Sequence, residues 1–307
     1  MSFRDKFPVL SCWLGKKRCL RRTFFYRKNP VKWTIKEYKK RYGIELDLDA
    51  PSSFYEKMNY WKHYCYSDIQ TTLADKLEVK KYLSNLGFGD LCAKCLFSSD
   101  NVKDLKKWIR KNANNVKRFV VKTNHSCGDV YIYRDGIITK KYGRRISNIN
   151  VMYKMLNIGL HYNHFYTCFE MPYKNIKPRI FVEEYIEFND STIEYEMMCN
   201  YGEIKAAKVV MHRQDITHAE ATVNMDYKVI NVDSGFNIGD SVPQPKNINL
   251  IKKVIDKCCS QQPFCRADFI ETDGKLFFCE FTFVKSGGMN IYQPYAFNEE
   301  LGRIFKI

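Results

Sequence analysis

Along this chain the spacing of hydrophobic positions shifts from helical to alternating, and the shift separates two kinds of structure. Residues 31–42 have helical spacing, and after the link Pro51-Ser52-Ser53 the stretch FYEKMNYWKHYCYSD starts a second amphipathic helix. Residues 71–86, TTLADKLEVKKYLSNL, predict a further helix that Gly87 stops, and Val102 to Asn112 another. From residue 118 alternation takes over. Residues 118–133, RFVVKTNHSCGDVYIY, read as strand, polar glycine loop, strand; 146–165 read as a helix and 179–187, RIFVEEYIE, as a strand. Antiparallel strands at 194–199 and 203–211, a helix near 247–258 and a closing hairpin follow. The pattern predicts an α+β protein rich in antiparallel strands. We divide it into a basic amphipathic segment 1–50, a helical lobe 51–118, a central subdomain 119–190 and a C-terminal lobe 191–307.

The closing hairpin, CRADFIETDGKLFFCEFTF at 265–283, carries Arg266, Asp268 and Glu280 among apolar residues. If Asp273-Gly274 ends a three-residue loop with Gly274 left-handed, Glu271 lies opposite Lys275 and Arg266 opposite Glu280. Phe264, Arg266, Asp268 and Ile270 then share one face with Leu276, Phe278, Glu280 and Thr282, while Ala267, Phe269, Phe277, Cys279, Phe281 and Phe283 take the other. Asp268 and Glu280 become diagonal neighbours, about 7–8 Å apart at the backbone. Two carboxylates so placed can bracket a hard cation such as Mg²⁺, which completes its octahedron with water and phosphate oxygens. A structural Arg-Asp-Glu ion-pair cluster would carry the same residues.

Composition narrows the class. With 307 residues, 45% hydrophobic and 27% charged, the chain is globular and long enough for a full core. No apolar run reaches the 18 or so residues of a membrane span. The N-terminal VLSCWLG is short and is followed, not preceded, by its main cationic cluster, so it does not read as a signal peptide and a cytoplasmic location is expected. Twelve scattered cysteines fit reduced thiols, and the lone Cys92-Ala-Lys-Cys95 reads as packing thiols. Of the net charge of +16, +12 lies in residues 1–42, where 14 Lys or Arg face only Asp5 and Glu37. Trp13, Phe24, Phe25, Tyr26 and Trp33 interleave with these cations, but no nucleic-acid motif accompanies them. Phe7, Leu10, Leu14, Leu20 and Phe24 mark an amphipathic helix flanked by KKRCLRR, suited to an anionic membrane surface or to packing on the main body.

Two further stretches bear on chemistry. In VVKTNHSCGDV, Lys122 on a strand precedes a loop of His125, Ser126 and Gly128, as a triphosphate requires: one fixed positive charge, and N–H groups free to approach its oxygens. Such hairpins also serve as plain turns. In PYKNIKPRIFVEEYI, Lys174, Lys177 and Arg179 precede an apolar strand ending at Glu183, Glu184, Tyr185 and Ile186. The order of parts, from lysine strand and glycine loop through EEYI to R-x-D, D-G and E-x-T, resembles the ATP-grasp superfamily. The wording NH…G, YKNIKPRI and EEY is similar to its TupA-like branch, associated with cell-surface polysaccharide synthesis, over roughly residues 54–305.

The resemblance implies two α+β lobes with mostly antiparallel sheets gripping a nucleotide, residues 119–190 covering it. It also implies ATP and Mg²⁺ as cofactors, and an acyl phosphate made from a carboxylate and attacked by an amine. By resemblance Asp268 and Glu280 hold Mg²⁺, Arg266 steadies the transferred phosphoryl group, and Lys122 and Lys80 reach the phosphates. Arg179 joins the catalytic set; Glu183, Glu184, Tyr185 and Ile186 form the adenine hinge; Glu194 holds ribose. Lys177, Arg213, Ser286, Gly287 and Gly288 are assigned to the substrate, the glycines offering N–H groups. Thr282 stands in place of the superfamily's asparagine ligand, and Glu196 where TupA-like sequences often have lysine. His161 and His164 read as structural or surface residues. The function implied is a carboxylate–amine ligase joining an amine or amino acid to a uronic acid or similar carboxylate of a surface glycan. The rivals are a glycosyltransferase, for which Asp47-Leu48-Asp49 is a weak DxD motif, a glycan kinase, and a polyanion-binding module without nucleotide hydrolysis.

Overall fold

The computed structural model describes residues 6–140, 146, 148–213, 218–235 and 239–307; the first five residues of the basic segment lie outside the described residues. Two antiparallel sheets organise the chain. The first contains β1 (Cys95–Ser99), β2 (Arg118–Thr123), β3 (Val130–Arg134), β4 (Ile137–Lys140) and β5 (Ile180–Glu184), in the order β1-β5-β2-β3-β4. The second contains β6 (Ile193–Asn200), β7 (Glu203–Met211), β8 (Ala219–Val223), β9 (Val229–Gly235), β10 (Cys265–Thr272) and β11 (Lys275–Thr282), in the order β11-β10-β6-β7-β8-β9. Antiparallel sheets with helices packed on them make the α+β fold that the alternation predicts.

Helices cover one face of each sheet, and Met198 and Ala206 of the six-stranded sheet enter a further core. Helices Val102–Asn112 and Ile149–Leu160 cover the five-stranded sheet over Phe119, Val121, Ile180 and Val182. Helices Ile248–Cys259, Ile69–Ala74 and Glu78–Asn85 cover the six-stranded sheet over Met197, Val209, Ala267 and Phe269. A third core gathers the N-terminal helices Pro30–Tyr42 and Phe54–Tyr64 with the C-terminal helix Ala296–Ile304. There Trp61 stacks on Phe264 with ring centres 5.6 Å apart. Lys57 on the same helix donates to the carbonyls of Gly302 and Phe305, each at 2.8 Å, neutralising the exposed carbonyl end of the last helix. Ser53 and Glu56 form a capping box that fixes where Phe54–Tyr64 begins.

The structure differs from the sequence reading where side chains compete with backbone. The helix predicted over 71–86 is broken at Asp75, whose carboxylate accepts from the N–H groups of Leu77 and Glu78 at 2.8 and 3.3 Å and so starts a new helix. The helix predicted over 146–165 stops at Leu160, and Phe165–Cys168 is a separate turn. Strands β1, β4, β8 and β9 and the helix Ala296–Ile304 were not predicted. The closing hairpin also has another register. Asp273 and Gly274, both left-handed, make a two-residue turn with Thr272 opposite Lys275. A bulge at Cys279 then sets Asp268 opposite Glu280 and Arg266 opposite Thr282. Leu276 and Phe278 therefore point into the core beside Phe269, not onto the charged face, while Phe281 still reaches the core and Glu280 stays on the polar side.

Candidate active site

The bulge brings three acids into one row. Strand registers place Glu280 opposite Asp268, Asp268 opposite Glu196, and Glu196 opposite Lys208, across β11, β10, β6 and β7. Arg266 lies one pleat away. Its guanidinium forks onto Asp268 at 2.7 and 2.6 Å, reaches Glu196 at 3.3 Å and lies 3.6 Å from Glu280. Burial pushes the Asp268 carboxyl up; Glu196 and Glu280 add to this, and Arg266 opposes them. Three carboxylates share this one guanidinium, and further cations complete the charge balance, Lys76 on Glu280 among them.

From the other side of the fold, lysines meet these acids. Lys76, between helices Ile69–Ala74 and Glu78–Asn85, lies 2.9 Å from Glu280 Oε2, and its Nζ donates to the Ser126 carbonyl at 3.2 Å. Lys80, one helical turn on, is 3.0 Å from Glu183 Oε2 and donates to the Ala93 carbonyl at 2.6 Å. Lys122 on β2 pairs with the other Glu183 oxygen. Burial alone would lower the Lys122 ammonium, but Glu183 overrides it and the net shift is upward, with Cys279 and Glu280 contributing in the same direction. Burial likewise raises Glu183, and Lys122 and Lys80 reverse it, so the Glu183 carboxylate and the Lys122 ammonium are held charged.

The other predicted residues divide between neighbouring places. His125 is buried between the Asn124 side-chain oxygen, at 3.2 Å, and the Gly159 carbonyl, at 3.1 Å. The Ser126 hydroxyl donates to Asp129 at 3.0 Å, and Gly128 has a left-handed φ of 85° with open space where a Cβ would stand. Arg179 pairs with Glu78 and lies 3.8 Å from Asp75; its N–H, like the Lys177 carbonyl, bonds to Asn124. These two are brought to the helix junction, not to the hairpin acids, and the Lys177 side chain is exposed. Glu184, Tyr185 and Ile186 leave the end of β5, with the Tyr185 ring 4.4 Å from the Arg134 guanidinium. Just beyond, Glu194 and Arg213 pair in the wall of a pocket that Phe188, Asn189, Asp190 and Thr192 also line. Thr282 faces Arg266 across the hairpin. Ser286 is exposed, whereas Gly287 and Gly288 are buried against the helix Phe54–Tyr64, their carbonyls accepting from Lys62 and Asn59 at 3.0 and 2.7 Å.

Sequence reasoning missed Lys76, four residues before Lys80 on the same stretch, although that spacing puts both on one side of a helical turn. It also passed over Asn124, whose side chain ties Asp75 at 2.9 Å to the start of β5 and so holds Lys76 in place. Asp47, from the weak DxD motif, accepts from the N–H groups of Asp49 and Ala50, a plain turn role. Among the described residues no group of three His, Cys, Asp or Glu is arranged to hold a metal. Asp268 and Glu280 alone suit Mg²⁺, which takes one or two carboxylates and fills its remaining positions with water and phosphate.

Comparison with known proteins places the chain in a family. The family model described as TupA-like ATPgrasp matches residues 56–306, and the chain belongs to that family. Its fold is accordingly ATP-grasp. No curated protein matches the chain. Among solved structures, D-alanine–D-alanine ligase from Bacillus anthracis complexed with ATP is similar at 15% identity and TM-score 0.39, over 69% of this chain and 54% of that one. D-cycloserine synthetase is similar at 11% identity and TM-score 0.39, over 78% and 72%. A macrocyclase from Microcystis aeruginosa bound with a precursor peptide is similar at 12% identity and TM-score 0.38, over 78% and 62%. The chain thus spans about half the length of the first of these.

Proposed function

We propose that the protein is an ATP-dependent carboxylate–amine ligase acting through an acyl phosphate. The observation that carries this reading is the row Glu280, Asp268, Glu196 crossed by Arg266, with Lys76 on Glu280 and the Lys80–Glu183–Lys122 cluster beyond it. Asp268 and Glu280 would hold Mg²⁺, which when bound neutralises and orients the phosphates. Lys76, Lys80, Lys122 and Arg266 then take up phosphate oxygens from their present acid partners, since phosphoryl transfer asks chiefly for positioning and charge neutralisation. The pocket at Glu194 and Arg213, directly after Glu183–Ile186, suits the nucleoside end. No protein nucleophile is needed.

The acid we assign is a uronic acid or similar carboxylate of a cell-surface polysaccharide, a substrate class carried from the family resemblance. A position at the inner membrane face fits it. No described helix is long and apolar enough to cross a membrane. Helix Pro8–Phe24 and its flanks, however, expose Phe7, Leu10, Trp13, Leu14, Phe24 and Phe25 beside Lys17, Arg18 and Arg21. Apolar rings among cations on one face suit an anionic lipid surface.

Thermal unfolding with and without ATP and Mg²⁺ tests the reading. Stabilisation is expected in the wild type and its loss in Glu280→Gln, with multiple-turnover ADP release when a uronic acid and an amine are both supplied. Wild-type protein that gains no stability from the nucleotide rules it out.

A further inference from the structure

Behind the turn Lys285–Gly288 lies a group of buried ionisable side chains that the nucleotide reading leaves without a role. Lys62 comes from helix Phe54–Tyr64, His164 and Glu170 flank the turn Phe165–Cys168, and the exposed Cys127 of the glycine loop borders them. Glu170 is 6% exposed and Lys62 2%. Glu170 Oε1 has His164 Nε2 at 3.9 Å, beyond hydrogen-bond distance, and Cys127 Sγ lies 3.6 Å from that same nitrogen. Lys62 donates to the Gly287 carbonyl at 3.0 Å, and among the described residues no carboxylate lies within ion-pair distance of it. Burial pushes the Glu170 carboxyl up to about 7 and the Lys62 ammonium down to about 8. The same effect brings His164 down to about 4, leaving it neutral. A buried acid and a buried base that share no close ion pair with each other cost stability, and such groups are characteristic of sites.

Their place in the fold adds the second argument. A Cβ built on Gly287 would stand 2.7 Å from Cys168 Cβ, so glycine is what lets this turn lie against Cys168, with Glu170 Oε1 at ordinary contact distance, 3.4 Å from the same position. The glycine loop joins this cluster to the acid row: Lys76, paired with Glu280, donates to the Ser126 carbonyl, and the next residue, Cys127, meets His164. Cys127 and Ser286 are exposed at its rim.

We propose that Glu170, with the Gly287 turn in front of it, binds the attacking amine and accepts its proton, an assignment that rests on the ligase reading. One N–H proton of the substrate ammonium passes to the carboxylate. The freed lone pair forms the C–N bond at the acyl carbon, the C–O bond to phosphate breaks, and the second N–H proton leaves with the departing group, which is released as hydrogenphosphate. Lys62 keeps the turn fixed through the Gly287 carbonyl and is a positioning residue.

The test supplies ATP, Mg²⁺ and a panel of uronic acids to the full chain, with either hydroxylamine or amino acids as acceptor. Hydroxylamine is uncharged at neutral pH and needs no base. Glu170→Gln should lose about 10²–10⁴-fold in amide formation, with hydroxylamine rescuing turnover as hydroxamate. The acidic limb of the wild-type amide rate, near pH 7, should vanish in the variant, and Glu170→Asp should recover part of the rate. Amide formation unchanged in Glu170→Gln overturns the assignment, and so does loss of hydroxamate along with amide in a variant that unfolds at the wild-type temperature. Wild-type protein that forms no hydroxamate with any acid overturns the ligase reading and this assignment with it.

Discussion

Single residues set the charge balance of the site. Lys76 holds Glu280 at 2.9 Å and the Ser126 carbonyl at 3.2 Å, bridging the two halves of the proposed nucleotide site. Lys76→Met should therefore reduce nucleotide-dependent ADP release about 10²-fold, measured in the same assay as Glu280→Gln. A rate within twofold of wild type would remove Lys76 from the site. Glu170 makes a separate prediction that needs no substrate. Its folded carboxyl, at about 7, lies above its ordinary value of 4.5, so the folded chain holds a proton there that the unfolded chain has released. Stability from this group is present below pH 4.5 and falls as pH rises to 7, by on the order of 3 kcal/mol. Glu170→Gln should flatten that fall in thermal unfolding; equal pH slopes in the two proteins would show the carboxyl titrating normally. Asp268, Glu280 and Arg266 were legible in the sequence because charges inside an apolar hairpin stand out. Lys76, Asn124 and Glu170 were not, since each looks like an ordinary polar residue until a distant segment packs against it.

Among the elements, the closing hairpin and the last helix decide the geometry. The alternation of apolar and polar residues in 265–283 predicted two strands and a turn, and these form. Its register was not legible, because alternation alone cannot show a bulge, and Cys279 shifts every later side chain of β11. The last helix tests close packing. A Cβ on Gly302 would stand 2.1 Å from the Ser52 carbonyl oxygen and 2.9 Å from Ser53 Cα, both backbone atoms. Gly302→Ala should destabilise by about 1–3 kcal/mol, seen as a lower denaturant midpoint; an unchanged midpoint would mean the helix can shift freely from the Ser52–Phe54 segment. Removal of the cap one residue on, by Ser53→Ala, should cost about 1 kcal/mol.

At the scale of the whole molecule, the basic N-terminal segment is both core and surface. Trp33 and Tyr38 are buried with Phe54 and Phe297, so deleting residues 1–42 would open the core as well as remove charge. The outer face of helix Pro8–Phe24 can be changed without that damage: Trp13 is 45% and Phe25 86% exposed. Trp13→Ser with Phe25→Ser should abolish co-sedimentation with vesicles of anionic phosphatidylglycerol and leave thermal unfolding unaltered. Retained binding, or no binding by the wild type, would set the membrane reading aside. On its inner side the same helix reaches the glycine loop, where Lys16 lies 3.2 Å from Asp129.

Sequence alone determined the α+β class, the order of strand, loop and hairpin, and the acids and lysines that resemble an ATP-grasp site, because periodicity and turn chemistry are local properties of a few consecutive residues. Tertiary structure decided which of those residues meet: Asp268 beside Glu196, Lys76 on Glu280, Lys80 and Lys122 on one Glu183, Glu170 behind Gly287. Periodicity reports which face of an element is buried but not what lies opposite it. Those pairings are fixed by strand order, one bulge and the packing of segments more than fifty residues apart.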